Sequence, residues 1–306
     1  MNFGNFLKLC RETHGITQDE LAEALYLQDA ELFAGVNSST LSRWERGVSH
    51  PSLKRMEGVL TFFQGRAQLP FPCFEENDPQ RIEEILCEEP VRHLFDRQKS
   101  MVNRIEMEHD LFPSFRLVNL RRHEESDVLL ELNTMLHLPA NSPYTQVPLE
   151  KFQAWLDHPA NLFIAVSYKS SFLGLLFTLR LRPEAFQDIL TFRRRKEELT
   201  AEDFAPMDEE GSIYLLSFFA ISPTIATMMF ARLFAHLLAN QKVIREIGII
   251  TSFPDAQDLA LKMNLRPTHR HRDGTETIYA YRNDLYRFFA SDLGMKIFFP
   301  KQQCDS

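Results

Sequence analysis

The sequence predicts an all-α N-terminal domain, a helical linker and an α/β domain with a mixed central sheet. Apolar residues recur at helical spacing through about the first 65 residues. From Phe115 onward, strand-like runs alternate with amphipathic helices. The length of 306 residues also exceeds what one small helical domain needs, so a second domain should hold most of the core.

Four helices are expected in the N-terminal domain. The first covers Asn5–Thr13, where Phe6, Leu9 and Cys10 have helical spacing. The second begins at Thr17, whose spacing to Glu20 is that of a capping box. The third follows Asn37 as N-cap. The fourth follows the break at His50-Pro51-Ser52.

The third helix has two different faces within Gly35–Gly47. Leu41 and Trp44 fall on an apolar face, and serines with Arg43 fall on the other. One face can be buried while the other contacts base edges. For this helix taken alone, a plain polar surface is the alternative interpretation.

Three motifs carry a family resemblance over residues 1–66. They are ITQDELAEAL at 16–25, SRWERG at 42–47 and Pro-Ser-Leu at 51–53. Together with the four helices, they resemble the helix-turn-helix domain of the Cro/phage-repressor (XRE) family. Tyr26–Ala34 departs from that pattern, because these residues add about nine positions that either lengthen the second helix or form an extra turn.

The resemblance implies binding to a double-stranded DNA operator, with the third helix in the major groove. It assigns base contacts to Ser38, Ser39 and Arg43, and Arg43 can pair bidentately with guanine. It assigns phosphate contact to Gln18, while nearby basic side chains add backbone charge. The full predicted set is Gln18, Ser38, Ser39, Thr40, Ser42, Arg43, Arg46, Lys54 and Arg55.

Positive charge in this domain is concentrated in one segment and does not extend over the whole domain. Residues 1–66 hold seven Lys/Arg and eight Asp/Glu, but Val36–Met56 holds four basic residues against Glu45 alone. Charge close to the phosphates decides affinity. We therefore expect modest nonspecific binding and a homodimer that needs two half-sites.

Residues 67–114 are predicted to be an acidic helical linker. The stretch 67–115 holds five basic and eleven acidic residues, which accounts for most of the chain's net charge of −8. Prolines are followed by apolar residues at helical spacing from Val91 to Ile105. This helix is either a dimer contact or a strut packed on the second domain.

Residues 115–306 are predicted to be an α/β domain. The element order is β-α-α-β-β-β-α-β-α-β, with one of the helices over 128–136. This order resembles the GNAT N-acetyltransferase fold, and the supporting residues are Ile221 and Pro223 after the fourth strand and Ala256 and Leu259 in the late helix.

Features that the resemblance requires for acetyl transfer are missing. No glycine lies between Gly211 and Gly248 to let backbone N–H groups approach a coenzyme A pyrophosphate. The family's catalytic Tyr falls on Ala260, and its helix-ending Gly falls on Asn264. The fourth strand, IYLLSFFAI, offers no Asp or Glu as a base. We expect no catalytic residue, no cofactor and no enzymatic activity.

A cleft that lacks catalytic residues can still bind a small molecule. Candidate contacts to an acyl or aromatic ligand are apolar, and each can equally be an ordinary core residue. They are Leu216, Phe218, Phe219, Met228, Met229 and Phe230.

Other sequence features mainly exclude functions. The four cysteines lack disulfide or metal-ligand spacing, which predicts a reduced, metal-free protein. Neither a signal peptide nor a run of about 18 apolar residues is evident, so a cytoplasmic location without membrane contact is expected. His269–Arg272 is predicted to be a solvated hairpin loop, with contact to DNA phosphate or an anionic ligand as the alternative.

The sequence thus predicts a cytoplasmic, dimeric, DNA-binding transcriptional regulator that senses a ligand. Two alternatives remain open. One is a DNA-targeted N-acyltransferase using acetyl-CoA, and the other is a regulator of antitoxin or antirepressor type whose second domain binds a protein partner.

Overall fold

The computed structural model describes residues 3–64, 116–118, 149–168, 171–291 and 294–295. The chain divides into two compact units. One holds Met1–Glu89, Lys262–Asn264 and Tyr286–Ser306, and the other holds Pro90–Leu261 and Leu265–Leu285. The predicted linker helix, the helix over 128–136 and both predicted domain boundaries lie outside the described residues.

The described part of the N-terminal unit begins with four helices, as the sequence predicts. Helix α1 contacts α3 and α4, and α2 contacts the same two helices. Phe6 and Cys10 of α1 are buried as predicted, but Leu9 is 42% exposed and Leu7 takes the core position instead. The bounds are α1 Phe3–Thr13, α2 Gln18–Gln28, α3 Ser38–Glu45 and α4 Leu53–Gln64.

Both predicted N-caps are confirmed. Glu20 N donates to the Thr17 hydroxyl at 3.2 Å, and Thr17 N donates to the Glu20 carboxylate at 2.7 Å. The bonds from Thr17 lower the pKa of Glu20. At α3, Thr40 N donates to Asn37 Oδ1 at 2.9 Å. Each cap satisfies a backbone donor that the first helical turn leaves without a partner.

The Tyr26–Ala34 insertion does both things that the sequence left open. Helix α2 continues to Gln28, and the chain then turns, with Leu32 N donating to Asp29 Oδ1 at 2.9 Å. Phe33 is fully buried, and its ring lies 2.8 Å from the point where a Cβ on Gly58 would stand. The insertion is therefore packed on α4 and is part of the core.

Seven strands form one sheet in the described part of the second unit, in the order β1-β2-β3-β4-β5-β7-β6. The β4–β5 pair is parallel and every other neighbouring pair is antiparallel. This mixed sheet and the N-terminal helices confirm the predicted fold class. The bounds are β1 Arg116–Val118, β2 Leu162–Tyr168, β3 Ser171–Leu181, β4 Gly211–Ala220, β5 Ile244–Thr251, β6 Arg266–Asp273 and β7 Glu276–Asp284.

Helices pack against the sheet. Trp155 and Phe186 share a buried cluster with Leu175 and Phe177 of β3. Gly174 lies on the opposite face of β3, where a Cβ would come within 2.9 Å of the Met229 side chain. The helices are α5 Leu149–Asp157, α6 Pro183–Leu190, α7 Pro223–Ala239, α8 Pro254–Lys262 and α9 Leu285–Phe289.

Three elements were not predicted from the sequence, namely α6, β6 and the five-residue helix α9. Helix α6 has only eight residues and starts at Pro183, two residues after β3, so no separate periodic stretch marks it. The prediction of a loop at His269–Arg272 is wrong, because these residues lie within β6. Strand β6 shows no apolar alternation, since it is an edge strand whose side chains are mostly exposed.

No helix in the described ranges is both long enough and apolar enough to cross a membrane.

Candidate nucleic-acid interface

Helix α3 is fixed by its apolar face. Leu41 is fully buried and Trp44 is 4% exposed, so both side chains anchor the helix in the core. On the α1 side, a Cβ on Gly4 would lie only 2.2 Å from the Trp44 carbonyl oxygen. The two helix backbones therefore meet with no space for a side chain between them.

The opposite face of α3 presents the predicted base-contacting residues. Ser39 and Arg43 are exposed, while Ser38, Thr40 and Ser42 are half-buried. The Thr40 hydroxyl donates to Asn37 Oδ1 at 3.1 Å, so its hydrogen takes part in the helix cap. Arg43 forms no side-chain hydrogen bond or salt bridge with any residue that the structure describes. Its guanidinium group is thus available for an external acceptor.

A buried ion pair joins α1 to the end of α3. Arg11 Nε donates to Glu45 Oε1 at 2.6 Å, and Arg11 Nη2 donates to Glu45 Oε2 at 3.0 Å. The hydrogen bond with Glu45 raises the pKa of Arg11. Gln18 Nε2 also donates to Glu45 Oε2, at 2.8 Å. The Arg11–Glu45 pair is bidentate, and bidentate charge-assisted hydrogen bonds are stronger than neutral ones.

The network changes the charge balance of the α3 surface. Glu45 is the only acid in Val36–Met56, and its side chain is 4% exposed and paired with Arg11. Its negative charge is therefore largely neutralised. The exposed basic residues of this stretch meet no acid from the same stretch at the surface.

The three remaining predicted basic residues have different surroundings. Arg46 is exposed, and its Nε donates to the Ser42 carbonyl at 3.1 Å. Lys54 is exposed at the start of α4. Arg55 is half-buried and donates to the carbonyls of Leu32 at 2.9 Å and Ala34 at 3.2 Å. Arg55 thus holds the insertion against α4, which the sequence did not suggest.

In the second unit, β4 and β5 separate towards one end. Their pairing ends at Leu215, opposite Ile249, although β4 continues to Ala220 alongside β3. About five residues of β4, a length of roughly 17 Å, therefore have no β5 partner. The β3–β4 register also shifts between Phe177 and Thr178.

The six predicted ligand contacts fall into two groups. Leu216, Phe218 and Phe219 lie on the separated part of β4 and are half-buried. Met228, Met229 and Phe230 lie on α7 and are buried, with exposures of 7%, 0% and 0%. The three β4 side chains are thus partly exposed, while the three α7 side chains lie in the core.

Comparison with known proteins identifies the N-terminal unit. Residues 7–66 match the family model described as helix-turn-helix. These residues form a helix-turn-helix domain. The match covers the capping box, the insertion and α3, and it indicates a DNA-binding regulator. No curated protein sequence matches the chain.

Solved structures similar to this chain cover more than half of it. One is an N-acyl amino acid synthase from uncultured soil microbes, with 12% identity, a TM-score of 0.40, and coverage of 58% of this chain and 94% of that one. Another is an Arabidopsis thaliana protein in complex with a bisubstrate analogue, with 11% identity, a TM-score of 0.37, and coverage of 56% and 98%. A third is the ribosomal-protein-S18-alanine N-acetyltransferase from Escherichia coli, with 12% identity, a TM-score of 0.33, and coverage of 56% and 92%.

Sequence reasoning missed two residues that shape the surface of the helix-turn-helix domain. Arg11 was not singled out, and Glu45 was counted only as an opposing charge. The two residues lie 34 positions apart, so no local pattern connects them. The capping box at Thr17, in contrast, is a local signal that also fixes the start of α2 beside Gln18.

Proposed function

We propose that this chain is a sequence-specific transcriptional regulator that binds its operator as a homodimer through α3. The observation that carries the proposal is the α3 surface, where Arg43 is exposed without a partner in the described residues and Glu45 is neutralised. A second, finer proposal is that the α/β unit binds an acyl or aromatic ligand.

Arg43 is the strongest candidate for base readout. A guanidinium group can donate two hydrogen bonds to guanine O6 and N7, and such a pair contributes about 1–3 kcal/mol of discrimination. The short Ser39 side chain can contact several base edges and is less selective. Phosphate contacts then come from Gln18, Arg46 and Lys54, which position the helix without specifying sequence.

The test is selection of genomic DNA fragments by the purified full chain, followed by sequencing. Wild-type protein should enrich a two-fold symmetric site with half-sites about 34 Å apart. Arg43→Ala should lose about tenfold or more in affinity and relax one position in each half-site. Lys8→Ala, on the exposed side of α1, should behave as wild type.

Failure to enrich any sequence would contradict the proposal. A site retained unchanged by Arg43→Ala would instead remove Arg43 from base readout while leaving DNA binding intact. A single asymmetric half-site would contradict the homodimer.

The separated end of β4 supports the ligand proposal. Leu216 and Phe219 are half-buried there beside the core cluster that contains Trp155, so an apolar molecule could complete their burial. Phe218 instead packs on Phe230 of α7. We propose that such a ligand shifts the dimer between two arrangements of its DNA-binding domains. A ligand can do so only if it binds the two arrangements unequally.

The start of α7 argues against a coenzyme A pyrophosphate site. Ile225 N donates to the Ser222 hydroxyl at 3.3 Å, so this N–H at the start of α7 is already used by the helix cap. In addition, Ala260, at the position of the family's catalytic Tyr, is fully buried. Asn264 has a φ of 59°, a left-handed conformation that glycine adopts readily, so this departure from the family pattern does not bear on coenzyme A binding.

An N-acyltransferase is the second candidate function, and the unpaired β4 segment beside a parallel strand favours it. Calorimetry with acetyl-CoA, octanoate and benzoate separates the two proposals. A sensor should bind octanoate or benzoate without turnover, and Leu216→Gln should weaken that binding at least tenfold. Leu261→Gln, at a 53% exposed leucine of α8, is the matched control.

Acetyl-CoA binding with acetyl transfer to an amine would overturn the sensor proposal. Absence of binding by all three compounds would leave the α/β unit without the proposed class of ligand.

A further inference from the structure

Strand β6 concentrates positive charge at the edge of the sheet. It carries Arg266, Arg270 and Arg272, together with His269 and His271, in eight residues. All three arginines are exposed. Within the described residues β6 pairs only with β7, so its other edge meets no strand. Arg270 and Arg272 lie on one face of the strand, and we call these two arginines the β6 arginine strip.

The arginine strip has no counter-charge in the parts of the chain that the structure describes. No hydrogen bond or salt bridge joins Arg266, Arg270 or Arg272 to another described side chain. Other arginines of the same unit are paired, at 2.6 Å in three cases. These pairs are Arg182–Glu209, Arg194–Asp203 and Arg245–Glu210.

No acidic residue lies directly across the register from any of the three arginines. Arg266 is opposite Arg282, which is itself paired with Glu246 at 3.7 Å. Arg270 is opposite Tyr279 and Arg272 is opposite Thr277, neither of which carries an acidic group.

The backbone of β6 is poorly suited to receive another strand. Pro267 lacks an N–H donor, and the register shifts between Pro267 and His269. Proline, bulges and edge charges are the features that keep edge strands from pairing. The surface is therefore available to a partner mainly through its side chains. A polyanion with regularly spaced charges satisfies this requirement.

We infer that the β6 arginine strip binds the phosphate backbone of the same double-stranded DNA that the helix-turn-helix domain recognises. This inference rests on the proposed DNA-binding function. Arg270 and Arg272 are two residues apart on one face, about 7 Å along the strand. Each DNA strand presents a phosphate every 3.4 Å of helix axis, so both guanidinium groups can meet phosphates of one duplex. The contact adds affinity without adding sequence specificity.

The test measures the operator affinity of the full chain as a function of salt concentration. Each phosphate contact contributes about −0.9 to the slope of log K against log salt. Each protomer of the proposed homodimer carries one strip, so Arg270→Gln with Arg272→Gln removes four phosphate contacts and should reduce the slope by about 3.6. When salt is raised from 50 to 200 mM, the affinity of the double variant should therefore fall about 150-fold less than that of wild type. The enriched operator sequence should stay the same.

Two controls make the result specific. Lys242→Gln with Arg245→Gln removes the same charge from another surface of the unit and should leave the slope unchanged. Arg270→Lys with Arg272→Lys keeps the charge and should restore the wild-type slope, since the salt slope depends on the number of phosphates neutralised by either lysine or arginine.

Each outcome decides the inference. An unchanged slope in the glutamine variant overturns it while leaving operator binding intact, and the strip would then suit an acidic protein partner. An equal slope change in the Lys242/Arg245 control also overturns it, because the effect would be one of net charge. Absence of DNA binding by wild type overturns both this inference and the proposed function.

Discussion

At the scale of single residues, Gly4 sets the distance between α1 and α3. A Cβ at this position would stand 2.2 Å from the Trp44 carbonyl oxygen and 2.9 Å from that of Glu45. Alanine is favoured over glycine in a helix by about 0.5–1 kcal/mol, but overpacking against backbone costs about 1–3 kcal/mol or more. We therefore predict that Gly4→Ala lowers the stability of the helix-turn-helix domain and weakens operator binding.

Calorimetric unfolding checks this prediction. A net loss of about 2 kcal/mol corresponds to a fall in Tm of roughly 8–16 °C for a domain of this size. Lys8→Ala changes an exposed position of the same helix and should stay within about 0.5 kcal/mol of wild type. Equal stability of Gly4→Ala and wild type would show that α1 and α3 are not packed this closely.

Residues of the candidate interface differ in how far sequence could predict them. The polar face of α3 and its Asn37 cap follow from local spacing, and the structure confirms the cap. The neutralisation of Glu45 by Arg11 depends on a contact between helices that sequence spacing cannot reveal. The same holds for Arg55, whose bonds to Leu32 and Ala34 depend on how the insertion packs.

At the scale of elements, the insertion between α2 and α3 is anchored by Phe33. This ring is fully buried and packs at Gly58 of α4, and Val36 N donates to the Phe33 carbonyl at 3.0 Å just before α3. Replacing a buried phenylalanine by alanine typically costs about 3–5 kcal/mol. Phe33→Ala should therefore unfold much of the domain at 37 °C and abolish operator binding.

Leu27 provides the control for Phe33 within the same part of the chain. Its side chain is 77% exposed, so Leu27→Ala should change the free energy of unfolding by less than about 0.5 kcal/mol. Thermal unfolding and operator affinity of both variants should be measured together. If Phe33→Ala were as stable as Leu27→Ala, the insertion would lie on the surface of the domain without contributing to its core.

Elements of the second unit show where periodicity fails as a predictor. The hairpin of β2 and β3 and the long helix α7 have clear apolar patterns, and the structure contains them. Strand β6 is polar on both faces, so its pairing with β7 could not be seen in the pattern. Short α6 depends on packing of Phe186 and Ile189 in the sheet core rather than on its own helical propensity.

At the scale of the whole molecule, charge is distributed very unevenly. The chain has a net charge of −8, yet the exposed faces proposed to meet DNA carry arginines without opposing acids in the described residues. Sequence motifs predicted the helix-turn-helix part, and the order of strands and helices predicted the larger α/β part, and both are present. The sequence could not predict the separation of β4 from β5, because it depends on the residue at which the parallel pairing of the two strands ends.

The two tryptophans of the chain stand in different cores. Trp44 is buried in the helix-turn-helix domain and Trp155 in the α/β unit, and the sequence contains no others. Each indole is shielded from water while its own unit is folded. The fluorescence emission of a Trp155→Phe chain therefore reports on the DNA-binding domain alone, and that of a Trp44→Phe chain on the α/β unit alone.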